Sequence, residues 1–162
     1  MMGLLFEPTG RQGVGIWAAS APPVLGRGDL IADLARAVEP ASPRAVFVIF
    51  GFVGLNGYLQ ARTSLDGDAL LERLSRRLTH VVRNTGRLYQ PRRGEFSGLF
   101  EGELGVGWPA IPFALDEEAS ASGIRTAFAT VVLPEQASTP TEALQIADRR
   151  LRCQDGDLRP QR

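Results

Sequence analysis

An unbroken apolar run stands in the first third of the chain, Ala45-Val46-Phe47-Val48-Ile49-Phe50. It is rich in β-branched and aromatic residues, which are enriched in strands. No polar residue alternates with the apolar ones, so neither face of such a strand is expected to meet water. We therefore predict a central strand over residues 45–50 that is covered on both faces.

Helical patterns flank this strand on both sides. Before it, apolar residues at helical spacing run from Asp29 to Val38, with Asp29 as the candidate N-cap, and Pro40 ends the helix. After it, a longer apolar stripe predicts a helix over Asp68–Val82. A buried strand between amphipathic helices indicates a layered fold of helices on a sheet.

The second half of the chain alternates between strand and helix patterns. We predict strands over Arg87–Gln90 and Glu95–Phe100 as a hairpin, a short helix around Phe113–Ala121, a strand over Ile124–Leu133, and a helix over Pro140–Leu151 that Thr139 caps. The fold class that follows is α/β (α+β), with a central mixed, mostly antiparallel sheet flanked by helices.

Composition excludes several classes of function. The chain has 162 residues, of which 18 are acidic and 18 are basic. This neutral balance argues against a nucleic-acid binder that relies on phosphate contacts. No apolar run reaches the roughly 18 residues of a membrane span, and the first residues lack the basic region of a signal peptide. We therefore expect a cytoplasmic protein with neither a nucleic-acid nor a membrane partner.

Single residues limit the chemistry further. Cys153 is the one cysteine and His80 the one histidine, which excludes an internal disulfide and a cysteine- or histidine-rich metal site. All 18 basic residues are arginines, so lysine Schiff bases and a phosphate-binding lysine are excluded as well. We expect both Cys153 and His80 at the surface without a chemical role, and no resident cofactor.

Four pieces of the chain resemble one family. In chain order they are Leu25-Gly26-Arg27, the segment from Phe50-Gly51-Phe52-Val53 to Gly67-Asp68-Ala69-Leu70-Leu71, the segment Gly86–Phe96, and Leu133-Pro134-Glu135 with Ala143–Leu151. Their order and spacing resemble the GGDEF (diguanylate cyclase) domain of bacteria over about residues 25–152. The resemblance implies a nucleotidyl-cyclase-like fold with a ferredoxin-like core. It leaves an N-terminal extension over 1–24 and a polar C-terminal tail over 153–162.

The resemblance also identifies what this chain lacks. In active members of the family, two acidic positions hold divalent metal ions, and these positions are Gly51 and Gly94 here. The second aspartate of the strand-end motif falls on Val53, and the residues that hydrogen-bond guanine fall on Leu59 and Gln60. Phosphoryl transfer of this kind needs metal ions held by carboxylates. The resemblance therefore implies a catalytically inactive domain.

Other positions of the family signature are changed as well. The lysine of the strand-end motif falls on Asn56, and the first two glycines of GGDEF fall on Arg92 and Arg93, whereas Glu95 and Phe96 match. The simpler interpretation of the two arginines is a charged, soluble hairpin turn. The alternative is a contact to an anion or to a partner protein at the rim of a former phosphate pocket.

A second ligand site of the family is incomplete too. Its product-inhibition motif, R-x-x-D, falls on Arg83-Asn84-Thr85-Gly86, in which the arginine matches and the glycine does not. An arginine at a helix end is more often solvated than bound to cyclic di-GMP. Arg83 is nevertheless a third candidate for an anion or partner contact.

Three functions remain open for such a domain. The first is an inactive signalling module that binds a protein partner or forms a homodimer. The second is a receptor for GTP or cyclic di-GMP without catalysis. The third is a residual cyclase or other nucleotidyl transferase that recruits different acids, namely Asp66, Asp68 and Glu95. N-capping of a helix is the simpler interpretation of the two aspartates.

The groove between the strand end and the hairpin raises a question of packing. Apolar residues replace or flank its polar ligand positions: Phe52, Val53, Leu55 and Leu59. A monomer rarely exposes a large apolar patch, so the groove either collapses or is covered. We favour covering by apolar residues of the segment 4–17 or by a second subunit, and we expect Trp17 and Trp108 to anchor contacts.

Overall fold

The computed structural model describes residues 23–82, 85–102 and 110–157. The elements, in chain order, are α1 (Arg27–Ala37), β1 (Ala45–Val53), α2 (Leu55–Ala61), α3 (Ser64–Val82), β2 (Gly86–Arg92), β3 (Glu95–Glu101), α4 (Ala110–Ser120), β4 (Arg125–Leu133) and α5 (Pro140–Asp157). Every predicted helix and strand is present. The largest difference in bounds is at α5, which continues to Asp157 rather than ending at Leu151.

The four strands form one antiparallel sheet in the order β2-β3-β1-β4. β1 lies inside the sheet, and its Phe50 is opposite Phe96 of β3 on one side and Phe128 of β4 on the other. The described part of the chain has one parallel pairing, a single bridge between Leu25 and Tyr89. From β1 onward the element order is β-α-β-β-α-β, which is ferredoxin-like. The predicted fold class is confirmed.

Each face of the sheet carries its own core. Alternate residues of β1 point to opposite faces because the side-chain period of a strand is two. Val46, Val48 and Phe50 join a cluster with α3 and α4, whereas Phe47 and its neighbours pack with α1 and α5. Val48 is 0% exposed and Phe50 is 4% exposed. The prediction that this strand is covered on both faces is confirmed.

Two predicted helix caps are wrong for the same physical reason. The N-cap of α1 is Gly26, and the carboxylate of Asp29 accepts a hydrogen bond from the Gly26 N–H at 3.1 Å. Before α3, the hydroxyl of Thr63 accepts a hydrogen bond from the Asp66 N–H at 3.2 Å. In both cases the aspartate is the third residue of the helix, and it forms a hydrogen bond with the residue that precedes the helix.

The cap predicted for the last helix is confirmed. The Glu142 N–H donates a hydrogen bond to the hydroxyl of Thr139 at 3.1 Å.

Among the described residues, no helix is both long and apolar enough to cross a membrane.

Candidate functional site

Most of the predicted site residues meet at one end of the sheet. There the end of β1, the turn between β2 and β3, and the start of α2 surround a groove of about 580 Å³ that extends between α1 and α5. The predicted site residues that line it are Gly51, Asn56, Arg92, Arg93, Gly94 and Glu95. Phe52 and Leu55 line it as expected, whereas Val53, Leu59 and Gln60 lie outside its lining.

Gly51 lies against a side chain of α5. A Cβ atom built on Gly51 would lie 2.9 Å from Cδ2 of Leu151, closer than carbon atoms approach without a shift. Leu151 therefore occupies the space into which a longer side chain at position 51 would extend. A carboxylate at this position requires Leu151 to move.

Gly94 makes the hairpin turn possible. Its φ is +79°, in the left-handed region, where a side chain costs about 1–2 kcal/mol. A Cβ atom here would also lie 3.2 Å from Cδ2 of Leu55, a buried residue of α2. Position 94 thus combines a backbone conformation that favours glycine with close packing. As a glycine it offers no side-chain ligand atom.

Leu59 packs into the interior of the domain. It is half-buried, and its Cδ2 atom would lie 2.8 Å from a Cβ atom built on Gly67 of α3. Gln60 is exposed, and Val53 pairs with Arg125 at the end of β4. Leu55 and Leu151 therefore fill space beside Gly94 and Gly51 that longer side chains would need, whereas the predicted cover, the segment 4–17, lies outside the described residues.

The charged residues at the turn are paired with one another. Arg93 donates a hydrogen bond to Oδ1 of Asp68 on α3 at 2.6 Å, and Arg92 lies 3.8 Å from a carboxylate oxygen of Glu95. The prediction that Asp68 caps α3 is therefore wrong. Asp68 instead holds the hairpin turn against α3. All four side chains are more than half exposed, so each pair stabilises the fold by at most about 1 kcal/mol.

The three acids considered for an alternative transferase do not form one site. Asp66 bonds to Thr63, Asp68 to Arg93, and Glu95 to Arg92. In residues 23–82, 85–102 and 110–157, no group of three or more histidine, cysteine, aspartate or glutamate side chains could hold a metal ion.

Comparison with known proteins identifies this arrangement. No family model matches the sequence, and no curated protein matches it. Solved structures do match, among them the GGDEF domain of YfiN (also called TpbB) from Pseudomonas aeruginosa. That comparison has a TM-score of 0.68 at 17% identity and covers 86% of this chain and 94% of the other. The chain has the GGDEF fold.

Two further neighbours differ in what they are known to hold or do. The GGDEF domain of DgcB from Caulobacter crescentus, in complex with c-di-GMP, matches at a TM-score of 0.67 and 14% identity over 86% of this chain and 90% of that one. The active GGEEF domain of a diguanylate cyclase from Vibrio cholerae matches at 0.69 and 12% identity over 85% and 94%. At these identities the likeness establishes the GGDEF fold alone.

The segment 83–86, on which the product-inhibition motif was expected, is only partly within the described residues. Arg83 and Asn84 lie outside them. Gly86, at the start of β2, has no room for a side chain, because a Cβ atom would lie 2.5 Å from the backbone oxygen of Leu99. The aspartate of an R-x-x-D motif therefore does not fit here.

The other single residues divide into two groups. His80 and Cys153 are exposed, as predicted. Trp17, Trp108 and the segment 4–17, which were predicted to make contacts, lie outside the described residues.

Sequence reasoning missed a buried polar junction between α1 and β2. Asp33 is 6% exposed and accepts hydrogen bonds from the Tyr89 hydroxyl at 2.6 Å and from the Arg87 guanidinium at 2.9 Å. Arg36 also donates to it. The available signal was position: Asp33 lies one turn from Leu30 and from Ala37, on the apolar face of its helix.

The junction changes the titration of its members. Burial by itself would raise the pKa of Asp33, but the hydrogen bonds from Tyr89, Arg87 and Arg36 outweigh it, and the pKa lies below its ordinary value. Burial, together with the hydrogen bond to Asp33, raises the pKa of Tyr89. Asp33 is therefore a charged and fully paired structural group, remote from any acid–base role near neutral pH.

Proposed function

We propose that this chain is a catalytically inactive domain of the GGDEF fold that acts as a protein-interaction or regulatory module in the cytoplasm of a bacterium. The observation that carries the proposal is the pair of glycines at the former metal positions. Gly51 packs against Leu151, and Gly94 takes a left-handed conformation above Leu55. Neither position presents a side-chain oxygen to a hard cation.

Loss of these ligands removes the main source of catalysis in such a site. Metal-assisted phosphoryl transfer depends on cations that neutralise the triphosphate and activate the attacking hydroxyl. Glu95 remains, but its carboxylate lies 3.8 Å from the Arg92 guanidinium, which competes with a metal ion for it. The proposed inactivity therefore follows from missing charge, and no distortion of the fold is needed to explain it.

Loss of base recognition supports the same proposal. Leu59 offers neither a donor nor an acceptor, and it is directed at Gly67 of the next helix. A guanine placed beside it would leave polar atoms unpaired, at a cost of about 1–3 kcal/mol each. GTP would therefore bind weakly even if its phosphates found partners.

A role in protein contacts is supported by one exposed aromatic residue. Phe113 of α4 is 74% exposed, and aromatic side chains are enriched among residues that dominate interface energies. Sedimentation equilibrium of the full chain and of Phe113→Ser tests this role. We expect the wild type to self-associate more tightly than the variant, with Leu65→Ser, at another exposed apolar position, as the control.

The nucleotide receptor remains a second candidate because the groove is only partly filled. A volume of about 580 Å³ lies within the range of small-molecule sites. Calorimetric titration of the full chain with GTP and with cyclic di-GMP, in magnesium, separates the candidates. The interaction module predicts no saturable heat for either nucleotide. Saturable binding without turnover would favour the receptor.

A further inference from the structure

The open part of the groove is largely apolar, although Gln145 and Asp148 of α5 also line it. It runs between α1 and α5 over the sheet, and its walls are half-buried aliphatic side chains, Ile31 on α1, Ile49 on β1 and Leu144 on α5. Water in contact with such walls is unfavourable in proportion to their area. Unlike the space beside Gly51, which Leu151 occupies, this part has room for an apolar body.

Among the described residues that line the groove, one buried polar side chain has no hydrogen-bond partner. Ser97 of β3 is 2% exposed and lines the groove, and its hydroxyl has no hydrogen-bond partner among the described residues. Buried polar groups are nearly always paired with protein, water or a ligand. The hydroxyl therefore marks a place where a bound molecule, or a water that it orders, supplies a hydrogen bond.

Among the described residues at the rim of the groove, one charged side chain has no partner of opposite charge. Arg92 and Arg93 have carboxylate partners, and Asp148 pairs with Arg152. Arg27, the first residue of α1, is exposed at the rim and has no carboxylate partner in the described part of the chain. One guanidinium beside an apolar channel matches a single anionic head group on an apolar body.

We propose that this groove binds an amphipathic organic monoanion, a carboxylate or sulfonate with an unbranched or aromatic apolar body. The head group lies at Arg27, and the apolar body lies between Ile31, Ile49 and Leu144. The inference rests on the proposed loss of nucleotide chemistry at the same end of the sheet. A triphosphate would bring about four charges to a rim at which the described residues leave only Arg27 without a carboxylate partner, whereas a monoanion matches that single charge.

Isothermal titration of the full chain with laurate, below its micelle concentration, tests the proposal. We expect saturable binding that Arg27→Gln weakens about tenfold, the loss of one charged hydrogen bond. Arg149→Gln is the matched control, because Arg149 is an exposed arginine of α5 outside this groove. It should leave the affinity within a factor of about two. Dodecyltrimethylammonium, with the opposite charge, should bind far more weakly.

Three outcomes would overturn the proposal: no saturable binding of laurate to the folded chain, equal binding of the cationic analogue, or equal losses in Arg27→Gln and Arg149→Gln. Leu144→Gln provides a second variant, in which apolar contact is reduced and the charge is kept, and it should also weaken laurate. Production of cyclic di-GMP would overturn the proposed function without changing these titrations, so the two failures are distinguishable.

Discussion

The junction at Asp33 and the hairpin end of the sheet treat polar groups in opposite ways. At the junction a buried carboxylate is retained and has three donors. At the hairpin end, two positions that the GGDEF family fills with acids are glycines, and leucines pack around them. The difference shows that polar groups hold α1 on the sheet, whereas leucine side chains pack against the two glycines at the hairpin end.

The largest expected effect comes from breaking the junction. Asp33→Ala removes the acceptor and leaves the buried Tyr89 hydroxyl and a guanidinium unpaired, so we expect about 3 kcal/mol of lost unfolding free energy. Tyr89→Phe, which removes only the hydroxyl, should cost about 1 kcal/mol. Urea denaturation measures both. Equal and negligible losses would show that the junction does not stabilise the fold.

The hairpin end can be tested with a pair of glycines, Gly94 in the turn and Gly57 in α2 as the reference. Gly94→Ala should destabilise by about 1–2 kcal/mol because φ is positive there. Gly57→Ala, in the exposed part of α2 with no atom within 4 Å of the added Cβ, should stabilise by about 1 kcal/mol. Thermal denaturation shows the sign of each change. The same sign for both would contradict the structural role of the turn at Gly94.

Acid titration sharpens the description of the junction. The folded pKa of Asp33 is below its ordinary value of 3.8, so its contribution to stability is fully present above that pH. The contribution is lost as the pH falls through the lower folded pKa. We expect the stability difference between wild type and Asp33→Asn to be constant from pH 7 to about pH 5 and to shrink below about pH 4. A difference that grows on acidification would be the wrong sign.

The smallest effect is expected at the ion pair of the hairpin turn. Arg93→Ala breaks the exposed pair with Asp68 and should cost about 0.2–1 kcal/mol, less in high salt. Asp68→Ala should cost the same, and the double variant little more. An additive double variant would show that the two residues act separately.

Much of the fold was predictable because its signals are local and strong. The run 45–50 has no polar residue, and a strand buried on both faces is the arrangement that this permits. The helix starts were missed because a capping aspartate and an aspartate at the third helical position look alike in sequence. Asp29 and Asp66 differ from true caps only in where the backbone turns.

The residues that surround the groove were predictable in part, but their packing was not. The resemblance to the GGDEF domain singled out Gly51 and Gly94, and both line the groove, whereas the contact of Leu151 with Gly51 joins residues a hundred positions apart. Asp33 and Tyr89 are also far apart in sequence, by 56 positions. Long-range pairing of this kind leaves no periodic signal, so the packing of leucine side chains against Gly51 and Gly94 needed the structure.

The most direct test of the account is the turnover of GTP by the full chain. The protein is incubated with GTP in magnesium and in manganese, beside the active Vibrio cholerae GGEEF domain as a positive control, and cyclic di-GMP is measured by mass spectrometry. The account predicts no product above a protein-free blank, also for the double variant Gly51→Asp/Gly94→Asp, since Leu59 and Gln60 still replace the guanine contacts. Product from the unaltered chain would contradict it.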